Sequence, residues 1–216
     1  MWDMTETPKR GRPRTFDRAT ALTAATRLFW ERGYEGVSIG DLTEAMGIRS
    51  GSLYATFGDK RSLFEEAVEA YGRSPVGAFA GLALREEPTA YGAFARILRE
   101  AAVIYPDPAH PAGCLVISAA TNVTPQDAGV QEFLRMLRNA NLDGFETRLR
   151  QAQRAGELPV GADPRDLAEY FAAVLQGLSQ RARDGAGADR LTAVAELALA
   201  AWPGATDTPD TPDALA

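Results

Sequence analysis

The stretch Arg49-Ser50-Gly51-Ser52-Leu53-Tyr54-Ala55-Thr56-Phe57, with Lys60 three residues on, gathers a guanidinium, three hydroxyls, a phenol and an ammonium within twelve residues. These groups are hydrogen-bond donors and fixed positive charges, with no thiol, imidazole or carboxylate pair for bond-making. At 100° per residue, Leu53 and Phe57 share one helical face, while Gly51 and Ala55 lie opposite, flanked by Ser52 and Tyr54. Small residues at the centre of an outward face let a helix backbone approach the floor of a DNA major groove, and polar edges reach phosphates or base edges. Arg49 and Ser50 fall at the helix start, where free N–H groups and the dipole favour phosphate. Arg49 alone in this set has the fork for bidentate guanine recognition, worth roughly 1 to 3 kcal/mol of discrimination. Ser38, Thr56 and Lys60, the last at the start of the following helix, complete the expected DNA-contact set. Taken singly, Tyr54 also fits a packing role, Ser50 a helix cap and Lys60 a solvated helix start.

A second cationic cluster lies upstream, where Lys9, Arg10, Arg12 and Arg14 occur within six residues without an acid among them. Arg10-Gly11-Arg12-Pro13 has the form of a minor-groove AT-hook core, and this arm is expected to add salt-sensitive affinity. The net charge of −6 hides the asymmetry. Residues 1–64 carry 10 Lys and Arg against 8 Asp and Glu, a surplus of two, whereas the remainder carries 13 against 21. The basic end is therefore the end expected to meet a polyanion.

Other chemistries find no support. There is no Gly-rich phosphate loop, no His-Glu-x-x-His and no Gly-x-Ser-x-Gly, and the single His110 has no evident acid partner in the sequence. No catalytic residues, cofactor or metal ligands are expected, because the one His and the one Cys, Cys114, do not make a ligand set. One cysteine forms no internal disulfide and suits a reducing compartment, so a cytoplasmic protein is expected. No stretch approaches the roughly 18 apolar residues of a membrane span, and no membrane partner is expected.

These groups need rigid elements to position them. Apolar residues recur at three and four with no useful strand alternation, so the chain reads as all-α. Asp17 is expected to cap a first helix with Leu22, Ala25, Leu28 and Phe29 on one face, ending at Gly33. Ser38 with Asp41 gives a capping-box start to a second helix that ends at Gly47, and Leu53 with Phe57 defines a short third. Three helices with a tight Gly-containing turn between the last two form a helix-turn-helix. A fourth helix begins near Asp59, and further helices are expected over about residues 75–85, 88–105, 113–122, 125–156, 164–183 and 189–201. The expected organisation is a disordered basic arm (1–15), a helix-turn-helix DNA-binding domain (16–64), a helical sensor and dimerisation domain (65–202) and a disordered tail (203–216), whose Pro, Thr and Asp have little to bury.

Residues 37–64, VSIGDLTEAMGIRSGSLYATFGDKRSLF, resemble the TetR family of regulators at Gly47, Ile48, Gly51, Leu53, Tyr54, Phe57, Lys60 and Leu63. The agreement extends through Gly11-Arg12-Pro13-Arg14, Leu28-Phe29 and Gly33-Tyr34. Arg49 stands where the family usually has Ser, and Thr56 where it often has His, so base preference does not carry over. The resemblance implies a regulator, most simply a repressor released by a small-molecule effector and binding a palindromic double-stranded operator as a homodimer. Activation and an architectural DNA-binding role are the alternatives.

Two short heads on one duplex face lie about 34 to 36 Å apart, which also calls for a dimer. Helices 125–156 and 164–183 carry apolar residues on more than one face, making Asn141, Phe145, Leu149, Phe171, Val174 and Leu178 the expected interface; burial inside one subunit is the alternative. Tyr71, Phe79, Phe94, Leu98 and Tyr105 are the expected pocket residues with Cys114, though aromatics at helical spacing more often make core. His110-Pro-Ala-Gly-Cys-Leu-Val resembles a Gly-Cys-Leu segment in a branch of the family, some members of which sense electrophiles or oxidants through a thiol. Cys114 near a helix start would gain thiolate character there; otherwise it is a small packing residue.

Overall fold

A computed structural model describes residues 16–204; the basic arm with Arg12 and Arg14, and the tail from residue 205, lie outside the described residues. Among the described residues all regular structure is helical. The first helix, α1 (Arg18–Arg32), is capped by the Asp17 carboxylate, which accepts from the Ala19 N–H, and it stops at Gly33 with φ 74°. The second, α2 (Ile39–Met46), has the expected reciprocal capping box between Ser38 and Asp41 and ends at left-handed Gly47. The third, α3 (Ser50–Phe57), buries Leu53 and Phe57. Asp59 caps α4 (Lys60–Arg73) by accepting from the Ser62 N–H. Ser74 then starts α5 (Pro75–Glu86), and Thr89 starts α6 (Ala90–Ile104).

The helix expected over residues 113–122 contracts to a single turn, α7 (Leu115–Ser118). Its continuation is intercepted, because the Ala119 carbonyl accepts from the Tyr34 N–H at 2.7 Å instead of serving a further helical turn. After a 3-10 turn (Pro125–Asp127) come the long α8 (Ala128–Arg154), α9 (Pro164–Arg183) and α10 (Ala188–Ala200).

Two cores result. The first gathers the inward faces of α1 to α4 with Leu115, Ala119 and Ala120 around α7, and with Val130 and Leu134 from α8. The second joins α5, α6 and the later part of α8 to α9 and α10, centred on Phe94, whose ring contacts Phe145, Phe171 and Trp202 at 4.8 to 5.8 Å. Each fully buried large side chain contributes about 1.5 to 3 kcal/mol relative to exposure.

Polar ties join the two. Arg183, at the end of α9, donates to the Trp30 and Glu31 carbonyls at 3.1 and 3.3 Å, covering carbonyls at the end of α1 that helix geometry leaves open. Tyr34 donates to Asp127 at 3.2 Å, and the Glu35 carboxylate accepts from the Thr124 N–H at 2.6 Å. Arg27 donates to the Ala109 carbonyl at 3.0 Å. Gly113, at φ 78°, lets the backbone pass close to α9: a Cβ there would meet the Ser179 carbonyl at 2.8 Å. The Ser179 hydroxyl accepts from the Cys114 N–H, which explains a fully buried serine.

Candidate nucleic-acid interface

The turn between α2 and α3 is short because Gly47 adopts the left-handed conformation and the Ile48 N–H closes onto the Thr43 carbonyl at 3.0 Å. Half-buried Ile48 packs on the first core, and Leu53 with Phe57 anchors α3 below. The opposite side of α3 is bare. Gly51 is exposed with no heavy atom within 4 Å of where a Cβ would stand, Ala55 is exposed, and Tyr54 is 51% exposed. An exposed tyrosine on a short helix has little to gain from water, and it suits a surface that closes on a partner.

Arg49 is the N-cap residue of α3, exposed, with no ion pair among the described residues and no side-chain capping bond. Its guanidinium and the open N–H groups of the first turn face the same solvent. Ser50 is exposed beside it, and Ser52 and Thr56 are half-buried. Ser38 is committed to the α2 cap: its hydroxyl bonds Asp41, and this holds the Asp41 carboxyl below its ordinary range. Lys60 differs from expectation in its surroundings. Its ammonium lies 4.1 Å from the Tyr34 ring centroid, and burial pushes its pKa down while Glu35 and Asp127 oppose that shift. Arg18, which the sequence reading did not single out, covers the Phe57 ring at 4.8 Å and pairs with Glu66 at 2.6 Å, bracing α3 against α4.

The expected pocket residues separate. Phe79, Phe94, Leu98 and Tyr105 are all buried in the second core, where Phe79 meets the Tyr105 ring edge-on at 5.9 Å, so they are packing residues rather than lining. Tyr71 and Cys114 do line a cavity of about 460 Å³ bounded by α4, α5 and α8. Its other walls include Gly77, Gly81, Phe133 and Leu137, with Arg85 and Asn141 also lining it. The small residues Gly77, Ala78, Ala80 and Gly81 on one turn and a half of α5 leave the space; that run was the missed signal in the sequence. Cys114 precedes a helix of only four residues, and burial pushes its thiol up, against the smaller opposing effects of the Tyr71 hydroxyl, the α7 backbone and Arg138. The helix-start argument for a thiolate is outweighed by desolvation.

The expected dimer residues separate as well. Phe145, Leu149, Phe171 and Leu178 are 0 to 3% exposed and belong to the subunit's own core, leaving no side-chain surface for a second copy. Val174 packs at the edge of that core, and Asn141 lines the cavity. Apolar surface remains instead on the α9–α10 hairpin, where Tyr170 is 39%, Val194 42% and Leu197 75% exposed.

A basic arm in the sequence, a helix-turn-helix presenting a bare small-residue face, and a second helical unit with its own cavity define a helix-turn-helix DNA-binding regulator. The chain belongs to the TetR family of bacterial regulators. Residues 21–67 match the family model described as bacterial regulatory proteins, tetR family, and residues 93–200 match the tetracyclin repressor-like C-terminal domain. The chain is 34% identical over 194 residues to the HTH-type transcriptional repressor ComR of Escherichia coli (strain K12), covering 90% of this chain and 92% of ComR. It is 30% identical over 188 residues to the repressor BdcR of the same strain, covering 87% and 90%. Among solved structures, it is similar to a cysteine mutant of the TetR family transcriptional regulator CifR complexed with 26-bp double-strand operator DNA, with TM-score 0.85, 43% identity and coverage of 89% of this chain and all of that one. The protein is thus a TetR-family DNA-binding transcriptional regulator. Among the described residues no helix is long and apolar enough to cross a membrane.

Proposed function

We propose that the protein is a homodimeric repressor that holds a palindromic operator through α3 and lets go when a small molecule enters the cavity behind α4. The observation that carries this reading is the bare outward face of α3, with Gly51 and Ala55 on it and Arg49, without an ion pair among the described residues, at its start. The names of ComR and BdcR support repression, and the operator complex of CifR supports a DNA site of comparable kind. Repression would act by occupying DNA that polymerase needs, and release by changing the separation of the two heads. The α9–α10 hairpin supports dimerisation, because its exposed Tyr170, Val194 and Leu197 fit burial against a second copy.

Selection of bound sequences from random duplex DNA should enrich a palindrome with half-sites about one helical turn or a simple multiple apart. Enrichment of no consensus, with binding that only weakens in salt, would point to an architectural protein instead.

Cys114 belongs to the cavity wall in this reading, as a contact for the effector rather than a resting thiolate. With its pKa raised above the ordinary 9.0, the neutral thiol dominates at neutral pH. The alkylation rate by iodoacetamide should climb about tenfold per pH unit and still be climbing at pH 9. A plateau near pH 7 would restore a thiolate sensor. Cys114→Ser should leave operator binding intact, and thiol reagents that release the wild type but not this variant would likewise favour sensing.

A further inference from the structure

A second cavity, of about 440 Å³, opens at the joint between the DNA-reading helices and the sensing unit, where α1 and α4 meet the 105–113 segment. Its floor is aromatic. The Trp30 ring stacks on His110 at 4.7 Å with a 17° interplanar angle and receives the edge of Tyr71 at 4.9 Å. The indole N–H of Trp30 is buried with no acceptor among the described residues, an unusual state for a polar atom in a packed protein. Leu22 and Val76 supply aliphatic wall, and among the described residues no carboxylate lines the cavity. Among the described residues the one permanent charge on its wall is Arg27, which donates once, to the Ala109 carbonyl, and pairs with no acid. A guanidinium has five N–H donors, so its capacity for an anion is largely unspent.

We infer that this slot is a second small-molecule site, selective for a flat aromatic monocarboxylate whose ring lies in the apolar slot beside Trp30 and whose carboxylate meets Arg27. The volume lies within the usual range for small-ligand sites and suits one to three fused rings. The carboxylate follows from the unpaired cation and the absence of a competing acid, and the flat body from the stacked floor. A phosphate would place more charge than one guanidinium can satisfy among apolar walls. The slot is distinct from the cavity lined by Cys114: among the described residues Tyr71 is the one that lines both.

Titration calorimetry with 2-naphthoate on the full chain tests this without any operator, and so independently of the repressor reading. One molecule should bind per chain. Arg27→Gln should weaken 2-naphthoate at least tenfold while leaving neutral 2-naphthamide within twofold of its wild-type affinity. Ala70→Leu, which fills the slot, should remove both ligands, and Ala140→Phe, which obstructs the Cys114 cavity, should leave both within twofold. Arg27 is exposed, so its substitution keeps the fold even if Ala70→Leu does not. Four outcomes overturn the proposal: no binding, equal effects of Arg27→Gln on acid and amide, loss on Ala140→Phe, or a tenfold tightening on deletion of residues 1–14, which would make the chain's own N-terminus the natural occupant.

Discussion

Gly51→Leu should lower operator affinity by a hundredfold or more while leaving the protein as stable as before or slightly more so. The two effects have separate causes. Among the described residues nothing lies within 4 Å of the position a Cβ would take at Gly51, and the residue is exposed, so a larger side chain there has open space. Replacing a glycine in the first turn of a helix favours folding by up to about 1 kcal/mol, because glycine gives up more backbone freedom than any other residue. On DNA the same side chain stands between the α3 backbone and the floor of the groove, displacing the neighbouring donors from their partners. Losing the Arg49 base contact, roughly 1 to 3 kcal/mol, together with one phosphate hydrogen bond of about 1.5 to 3 kcal/mol reaches a hundredfold. Thermal melting and fluorescence anisotropy on the selected operator would read both quantities. A variant that melts early, or that binds as well as wild type, would remove Gly51 from the contact face.

Phe171→Ala and Leu197→Arg should fail in opposite ways. Phe171 is 1% exposed and touches the rings of Phe94, Tyr170 and Trp202 at 4.8 to 5.6 Å, so truncation opens a void among aromatics. The expected loss is about 3 to 5 kcal/mol of subunit stability. Leu197 is 75% exposed on α10, and a charge there costs an isolated subunit little. In a dimer sealed by the α9–α10 hairpin, two arginines would be forced together without water, and the variant should sediment as a monomer with an unchanged fold. Sedimentation velocity with denaturant melting separates the outcomes. If Leu197→Arg remains dimeric, the interface lies elsewhere on the subunit.

The difference between these two residues shows what periodicity can and cannot give. Helix starts were legible because capping is local: Asp17, Ser38 with Asp41, and Asp59 each bond an N–H two or three residues away. The geometry of α3 was legible for the same reason, since eight residues with two apolar anchors fix which side is outward. Whether Phe171 faces its own α6 or a second copy is a question about partners far away in sequence, and a 3.6-residue repeat reports only that a face is apolar. The aromatic residues divide in the same way: Phe94 and Tyr105, named as pocket candidates, follow the commoner fate of aromatics at helical spacing and make core. The shortening of α7 was invisible for a related reason. Its carbonyl is taken by Tyr34, 85 residues earlier in the chain, and nothing near Ala119 announces it. The cavity lined by Cys114 was written in absences, the glycines and alanines of α5, rather than in the large residues that drew attention.

The first core has a consequence for how the molecule comes into being. Leu115, Ala119, Ala120, Val130 and Leu134 complete the packing beneath α1 to α4, and Arg183 covers the α1 carbonyls from still farther along. A chain emerging from the ribosome therefore carries its first four helices against an unfinished floor until most of the sequence has been made. The DNA-reading helices and the second helical unit mature together, so a prematurely ended chain lacks the packing to become a free-standing DNA binder.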